Sequence, residues 1–279
     1  MDWKTNRRVI PLDRPLVMGI LNVTPDSFSD GGKFADLDSA IQRAEELIAE
    51  GADIIDVGGE STRPGSIRVA AEEEVRRTAP AIEAISRRFD TPISIDTTKL
   101  EVAKAAIEAG AEIINDISGL RWEEQLAAAA AASGAGLVLM HSRGEFETMH
   151  SQPPVRDILV ETIHGLNTSI EVAAKHAVLP AQIVLDIGIG FGKTPEQNLE
   201  LLAKLDKIVA EFDDFPILVG ASRKSFIVRT LGPANAEARL GASLAAVIVS
   251  VQNGAKIVRV HDVAETGQAI KLLEEFKNV

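Results

Sequence analysis

Cysteine is absent from the 279-residue chain, which excludes a disulfide framework, a thiolate metal site and a thiol nucleophile together. Tyrosine is absent as well, and with only two Trp and nine Phe the core has to be aliphatic. Ile, Val, Leu and Ala are what parallel strands and their covering helices bury. No block of Lys or Arg occurs, and the formal net charge of -12 would repel a polyanion, so nucleic acid is excluded as a partner. No apolar run reaches the roughly 18 residues that a bilayer crossing takes. Met1 to Arg14 mixes charges and lacks the apolar stretch of a signal peptide. No Pro/Ser-rich linker or break in composition divides the sequence, so residues 1–279 are expected to form one domain, without a membrane partner and in the cytoplasm.

What is present is alternation. Short apolar runs ending in polar or Gly residues recur at Leu16–Leu21, Ile54–Val57, Ile93–Ile95, Ile113–Ile114, Leu137–Met140, Ile183–Leu185, Ile217–Val219 and Ile257–Val260. Between them lie segments with apolar residues at helical spacing, such as Leu37, Ile41, Ala44 and Ile48. Gly51 and Gly110 stand where left-handed helix ends are expected, and Thr194-Pro195-Glu196-Gln197 reads as a capped helix start. Eight strand-helix units without a break predict an α/β fold, a single (β/α)8 TIM barrel with long loops after the first and second strands. Helices are expected over Asp157–Ala177 and Ala236–Asn253. The small-residue face of the second suits packing on another subunit or simple covering of the barrel.

In such a barrel the residue after each strand points into one bowl. The first loop there is Asn22-Val23-Thr24-Pro25-Asp26-Ser27-Phe28-Ser29-Asp30-Gly31-Gly32, and the second is Gly58-Gly59-Glu60-Ser61-Thr62-Arg63-Pro64-Gly65. Loops this long in a compact barrel point to function. Asp56, Asp96, Asn115-Asp116 and Asp186 close or interrupt four strands. Buried carboxylates need donors. A flat heterocycle with an amino-pyrimidine edge offers several N–H groups to such acceptors, and capping of the next helix or bonding to neighbouring loops is the alternative for any one of them. Arg63, Lys224 and the Arg259-Val260-His261 run supply cations, with Arg259 and His261 on the same side of their strand. Cations after strands seven and eight lie where barrels bind phosphate. Asn22 and neighbouring carboxylates offer hard oxygen ligands for Mg2+. Zinc-protease spacing, a Gly-x-Ser-x-Gly elbow and a Walker loop are all missing.

From Leu16 to about Val263, these runs in this order resemble the dihydropteroate synthase family. The most specific are Asn22 to Gly32, Gly58 to Gly65, Asn115-Asp116, Gly190-Phe191-Gly192-Lys193, Ser222-Arg223-Lys224-Ser225 and Arg259-Val260-His261-Asp262. The resemblance implies a transferase that joins 6-hydroxymethyl-7,8-dihydropterin pyrophosphate to p-aminobenzoate in folate biosynthesis, and a sulfonamide target. It implies that Asp96, Asn115, Met140, Asp186, Phe191 and Lys224 hold the pterin, and that Asn22, Arg63, Arg259 and His261 hold the diphosphate, Asn22 through Mg2+. Phe28, Thr62, Arg63, Pro64, Phe191, Lys224 and Ser225 would receive p-aminobenzoate. Catalysis would fall to Asn22, Arg63, Asp96, Lys224, Arg259 and His261, in a homodimer. The sequence departs from the family's usual pattern at Ile187, where Pro commonly follows the Asp. A pterin-binding corrinoid methyltransferase and a non-catalytic pterin-binding paralogue are the alternatives. The first would not need the anion-binding residues, and paralogues of the second kind tend to lose loop residues, whereas every motif position named above is present apart from the one at Ile187.

Overall fold

The computed structural model describes residues 1–24, 33–232 and 239–277, without the side chains of residues 33–36 and 277. After a short antiparallel hairpin, β1 (Asp2–Lys4) and β2 (Val9–Pro11), come eight parallel strands. They are β3 (Leu16–Asn22), β4 (Ile54–Gly58), β5 (Ile93–Asp96), β6 (Ile113–Asp116), β7 (Gly136–Met140), β8 (Ile183–Asp186), β9 (Ile217–Val219) and β10 (Ile257–Val260). They close into a barrel in chain order, with β10 paired to β3. Each of the eight expected strands is therefore present. The helices are α1 (Lys33–Ala49), α2 (Ala71–Arg88), α3 (Leu100–Ala109), α4 (Gln125–Ser133), α5 (Ile158–Lys175), α6 (Pro195–Ala203), α7 (Leu205–Glu211), α8 (Ser225–Leu231), α9 (Leu240–Gln252) and α10 (Val263–Lys277).

The local signals behave as their chemistry dictates. Asp157 caps α5, its Oδ1 accepting from the N–H of Leu159 at 3.0 Å and Val160 at 3.1 Å. Thr194 and Gln197 exchange both bonds of a capping box before α6, at 3.3 and 3.1 Å. The chain leaves α1 and α3 through left-handed Gly51 and Gly110. The helix expected over Ala236–Asn253 is seen from Leu240 to Gln252, and residues 233–238 lie outside the described part.

Period-two alternation sorts each strand into an outward and an inward row. Outward residues such as Val17, Ile55, Ile95, Ile114, Leu139, Leu185, Val219 and Val258 meet the helices in one continuous core. Inward residues Met18, Ile54, Ile113, Val138, Val184, Leu218 and Ile257 fill the barrel floor. Each such side chain contributes about 1.5–3 kcal/mol by leaving water.

The β1–β2 hairpin was not expected, because two strands of three residues carry too little alternation to register. It closes the bottom of the barrel by placing Trp3, Ile10 and Leu12 against that floor. The Trp3 indole N–H donates to the Gln182 carbonyl at 2.8 Å. Gly136 admits the indole because a Cβ there would stand 3.1 Å from the ring.

Candidate active site at the carboxyl ends of the strands

Two residues beyond the floor, the inward row becomes polar. In the order of the strands it reads Ile20, Asp56, Asp96, Asn115, Met140, Asp186, Gly220 and Arg259. The register puts Ile20 beside Asp56, Asp96 beside Asn115, Met140 beside Asp186 and Arg259 beside Met18. One step up the ladder thus exchanges an apolar floor for three carboxylates, an amide and a guanidinium. Their meeting follows from register.

Arg259 ties this layer together. Its Nε donates to Asp56 Oδ2 at 2.6 Å and its Nη2 to Asp96 Oδ2 at 2.7 Å. Asn115 donates from Nδ2 to the same Asp56 oxygen at 3.2 Å. Asp56 is fully buried and its Oδ1 has no hydrogen-bond partner. Burial, with the like charge of Asp56, pushes the Asp96 carboxyl up to about 7 against the pull of Arg259. Burial also works against the Arg259 charge, but Asp56 and Asp96 outweigh it and hold the guanidinium above its usual value.

Asp186 accepts from the Gly188 N–H at 2.7 Å. Its carboxyl is raised by burial, and that N–H and the charge of Lys224 offset the rise only in part. Gly188 has to be glycine: its φ is +64° and a Cβ would stand 1.9 Å from the His141 carbonyl oxygen. Ile187, the departure from the usual Pro, is fully buried in the outer core. Lys193 braces the following turn by donating to the carbonyls of His141, Gly188 and Phe191 at 3.0, 2.8 and 3.1 Å. Phe191 is thereby presented to Lys224, whose ammonium sits 4.0 Å from the ring centroid. Burial and the neighbouring Arg259 bring the Lys224 ammonium down to about 8.

Above this layer opens a cavity of about 770 Å3. Asn22, Thr62, Arg63, Pro64, Phe191, Lys224, Ser225, Arg259 and His261 all line it. Phe28 lies outside the described residues. Asp96, Asn115, Met140 and Asp186 are not on the lining. Asp96 is bound by Arg259, because a buried carboxylate takes the nearest cation, Asn115 is tied to Asp56, and Asp186 is held at the end of β8. Met140 is 3% exposed and packs with Ile117, Phe146, Met149 and Phe191.

One expectation needs correction. His261 is not a cation: burial, with Arg259 and Arg223 nearby, lowers its pKa to about 3. The Ser222 hydroxyl accepts from the His261 backbone N–H at 3.3 Å and lies 3.2 Å from Nδ1. Asp116 takes the loop-bonding alternative, accepting from the N–H groups of Ser118 at 2.8 Å and Leu120 at 2.6 Å in the loop after β6.

Two residues, Lys99 and His150, now join the site beside Asp56, which the sequence already marked. Asp56 anchors Arg259. Lys99 pairs with Glu60 at 2.9 Å and also with Glu74, pinning the root of the loop after β4 to α2. His150, from the loop after β7, reaches across to Thr62 at 2.8 Å. Asp56 carried a signal as a charge inside an apolar run, whereas nothing local in the sequence ties Lys99 to Glu60 or His150 to Thr62.

Comparison with known proteins agrees with this geometry. The family model for pterin binding enzymes matches residues 18–261. The chain is 46% identical over 261 residues to the dihydropteroate synthase of Synechocystis sp., covering 94% of this chain and 90% of that one. It is 45% identical over 267 residues to that of Escherichia coli, covering 95% and 93%. The chain belongs to the dihydropteroate synthase family. Family members in solved structures share the whole architecture. The Yersinia pestis enzyme in complex with a sulfonamide drug superposes with a TM-score of 0.92 at 39% identity, covering 100% of both chains. The Xanthomonas albilineans enzyme with 4-aminobenzoic acid gives 0.92 at 40% identity, again covering 100% of both.

Proposed function

We infer that this chain joins 6-hydroxymethyl-7,8-dihydropterin pyrophosphate to p-aminobenzoate, releasing pyrophosphate and forming 7,8-dihydropteroate. The observation that supports this most is the stacking of one layer on another. Acceptors Asp96, Asn115 and Asp186 lie directly beneath a cavity bearing Arg63, Lys224 and Arg259. A methyl-transferring pterin enzyme would have no use for those cations.

In this reading the pterin edge donates to Asp96, Asn115 and Asp186. It takes Asp96 over from Arg259, whose Nε stays on Asp56 while its Nη2 turns to the diphosphate. The methylene carbon to oxygen bond breaks toward the diphosphate, and the carbon is attacked by the amine lone pair. An aromatic amine is unprotonated at neutral pH, so no general base is required for attack, and the acidic anilinium proton left on nitrogen after the bond forms passes to water or to the released pyrophosphate. Arg63 and Arg259 stabilise charge building on the departing oxygens. His261 lines the same cavity as a neutral imidazole. Thr62, Pro64, Phe191, Lys224 and Ser225 would wall the aromatic amine.

Asn22 is the residue that would hold Mg2+. It lines the cavity, with Oδ1 3.5 Å from where a Cβ on Gly58 would stand. No group of three or more His, Cys, Asp or Glu suited to a metal occurs among the described residues. That fits an ion that takes most of its ligands from phosphate and water. Once bound, it would neutralise charge on the leaving group.

We further propose a cytoplasmic homodimer joined through α9, where Gly241, Ala245 and Val249 are exposed at every fourth position. No helix among the described residues is long and apolar enough to cross a membrane.

Mixing the protein with both substrates and Mg2+ should release pyrophosphate only when p-aminobenzoate is present. No release above background ends this reading. The dependence of kcat/KM on pH provides a finer check, since it reports groups of the unliganded protein. Asp96 must be ionised to accept a pterin N–H, so the rate should climb as pH rises through about 7. Lys224 must be protonated, so it should fall again above about 8. Lys224→Arg should carry the alkaline limb upward. A profile with neither limb would contradict both assignments.

A further inference from the structure

His150 belongs to the loop between β7 and α5, which supplies none of the substrate-binding groups assigned above. Its Nε2 lies 2.8 Å from the Thr62 carbonyl oxygen. A carbonyl only accepts, so Nε2 carries the hydrogen. Its ring centroid is 5.7 Å from that of Phe191, the planes tilted by 36°. The same imidazole lines the main cavity beside Pro64 and Ser225. It also edges a recess of about 60 Å3 that shares those two residues and has Lys193 and Arg229 at its back.

Thr62 and Pro64 arrive on the loop after β4, whereas Phe191 arrives on the loop after β8. These strands are not neighbours in the barrel, so no ladder bond fixes the gap between the two loops. Each loop has its own root. Lys99 holds the first through Glu60, and Lys193 holds the second through three carbonyls. His150 touches both at the cavity, by a hydrogen bond on one side and a ring contact on the other.

We propose that His150 is a positioning residue for the second substrate: it sets the separation between the Thr62–Pro64 wall and Phe191, and so the width of the slot that receives a flat aromatic amine. This rests on the synthase reading above. The pterin acceptors Asp96, Asn115 and Asp186 make no hydrogen bond to His150 and are held by Arg259, Asp56 and Gly188 instead. The effect of His150 is therefore confined to the amine.

Steady-state kinetics of the full chain, varying one substrate at a time, provide the test. His150→Ala should raise KM for p-aminobenzoate about fivefold, the scale of one net hydrogen bond. KM for the pterin diphosphate and kcat should stay within about twofold, which a general loss of folding would not produce. His150→Gln keeps an N–H donor and should restore the p-aminobenzoate KM, whereas His150→Phe keeps only the ring and should not. An unchanged amine KM in His150→Ala, or equal rises for both substrates, would overturn the proposal. Rescue by Phe but not Gln would overturn it too. The wild type in the same assay separates the two ideas: no turnover there sinks the synthase reading, while normal turnover with an indifferent His150→Ala sinks only the tie.

Discussion

Arg259→Ala is expected to lower kcat/KM for the pterin diphosphate by about three orders of magnitude, the upper range for removing one preorganised donor to a developing oxyanion. The same substitution strips the cation from two buried carboxylates. Asp56 is wholly buried with one oxygen already unpartnered, and Asp96 loses its partner at 2.7 Å. Breaking a buried pair from one side costs about 3–5 kcal/mol. For a chain of this length that corresponds to a fall in Tm of about 6–20 °C, at about 2–4 °C per kcal/mol. The two losses are separable. Arg259→Lys keeps a charge between the acids but cannot serve Asp56, Asp96 and a diphosphate at once, because an ammonium lacks the fork. It should regain most of the melting temperature and little of the rate. Thermal melts and pyrophosphate release, the latter well below the variant's Tm, measure each term. An alanine variant within about tenfold of the wild-type rate would remove Arg259 from the chemistry.

The barrel was legible because its signals are local. Each strand is an apolar run bounded by a turn or cap residue, and the caps at Asp157, Thr194, Gly51 and Gly110 depend on neighbours within four positions of the chain. The polar layer was half legible. Asp96, Asn115 and Asp186 mark strand ends, but who pairs with whom depends on barrel register, which joins Asp56 to Arg259 across 203 positions. That is why nothing local in the sequence marks Arg259 as lying between Asp56 and Asp96. The charge state of His261 was hidden for a related reason. Its burial and the nearby Arg259 and Arg223 come from the closed barrel, and a lone His beside Arg in sequence looks like part of a cationic pair. The hairpin that seals the floor was invisible because its two strands are too short for alternation, and its value lies in the Trp3 contacts at the far end of the chain's fold.

Asp186 poses the sharper question of whether the acceptor layer reads a pterin at all. Asp186→Asn should weaken binding of a 6-hydroxymethylpterin probe by about two orders of magnitude while leaving Tm within a few degrees. The asymmetry follows from the side chain's two oxygens. Oδ1 accepts from the Gly188 N–H at 2.7 Å, a bond that an amide oxygen can replace, so the turn leading to Phe191 survives. The second oxygen becomes an NH2 group. It then meets the pterin's donors with a donor, and the negative charge that faced Lys224 is gone. Two charge-assisted hydrogen bonds at about 1.5–3 kcal/mol each more than cover a hundredfold loss at about 1.4 kcal/mol per factor of ten. The neutral amide also relieves the desolvation that raises the Asp186 carboxyl, which offsets the stability lost with the Lys224 attraction. Titration calorimetry with the pterin and a melt of the same sample give both numbers. Binding within about threefold of wild type would mean that the pterin edge lies elsewhere, and the roles given to Asp96 and Asn115 would fall with it.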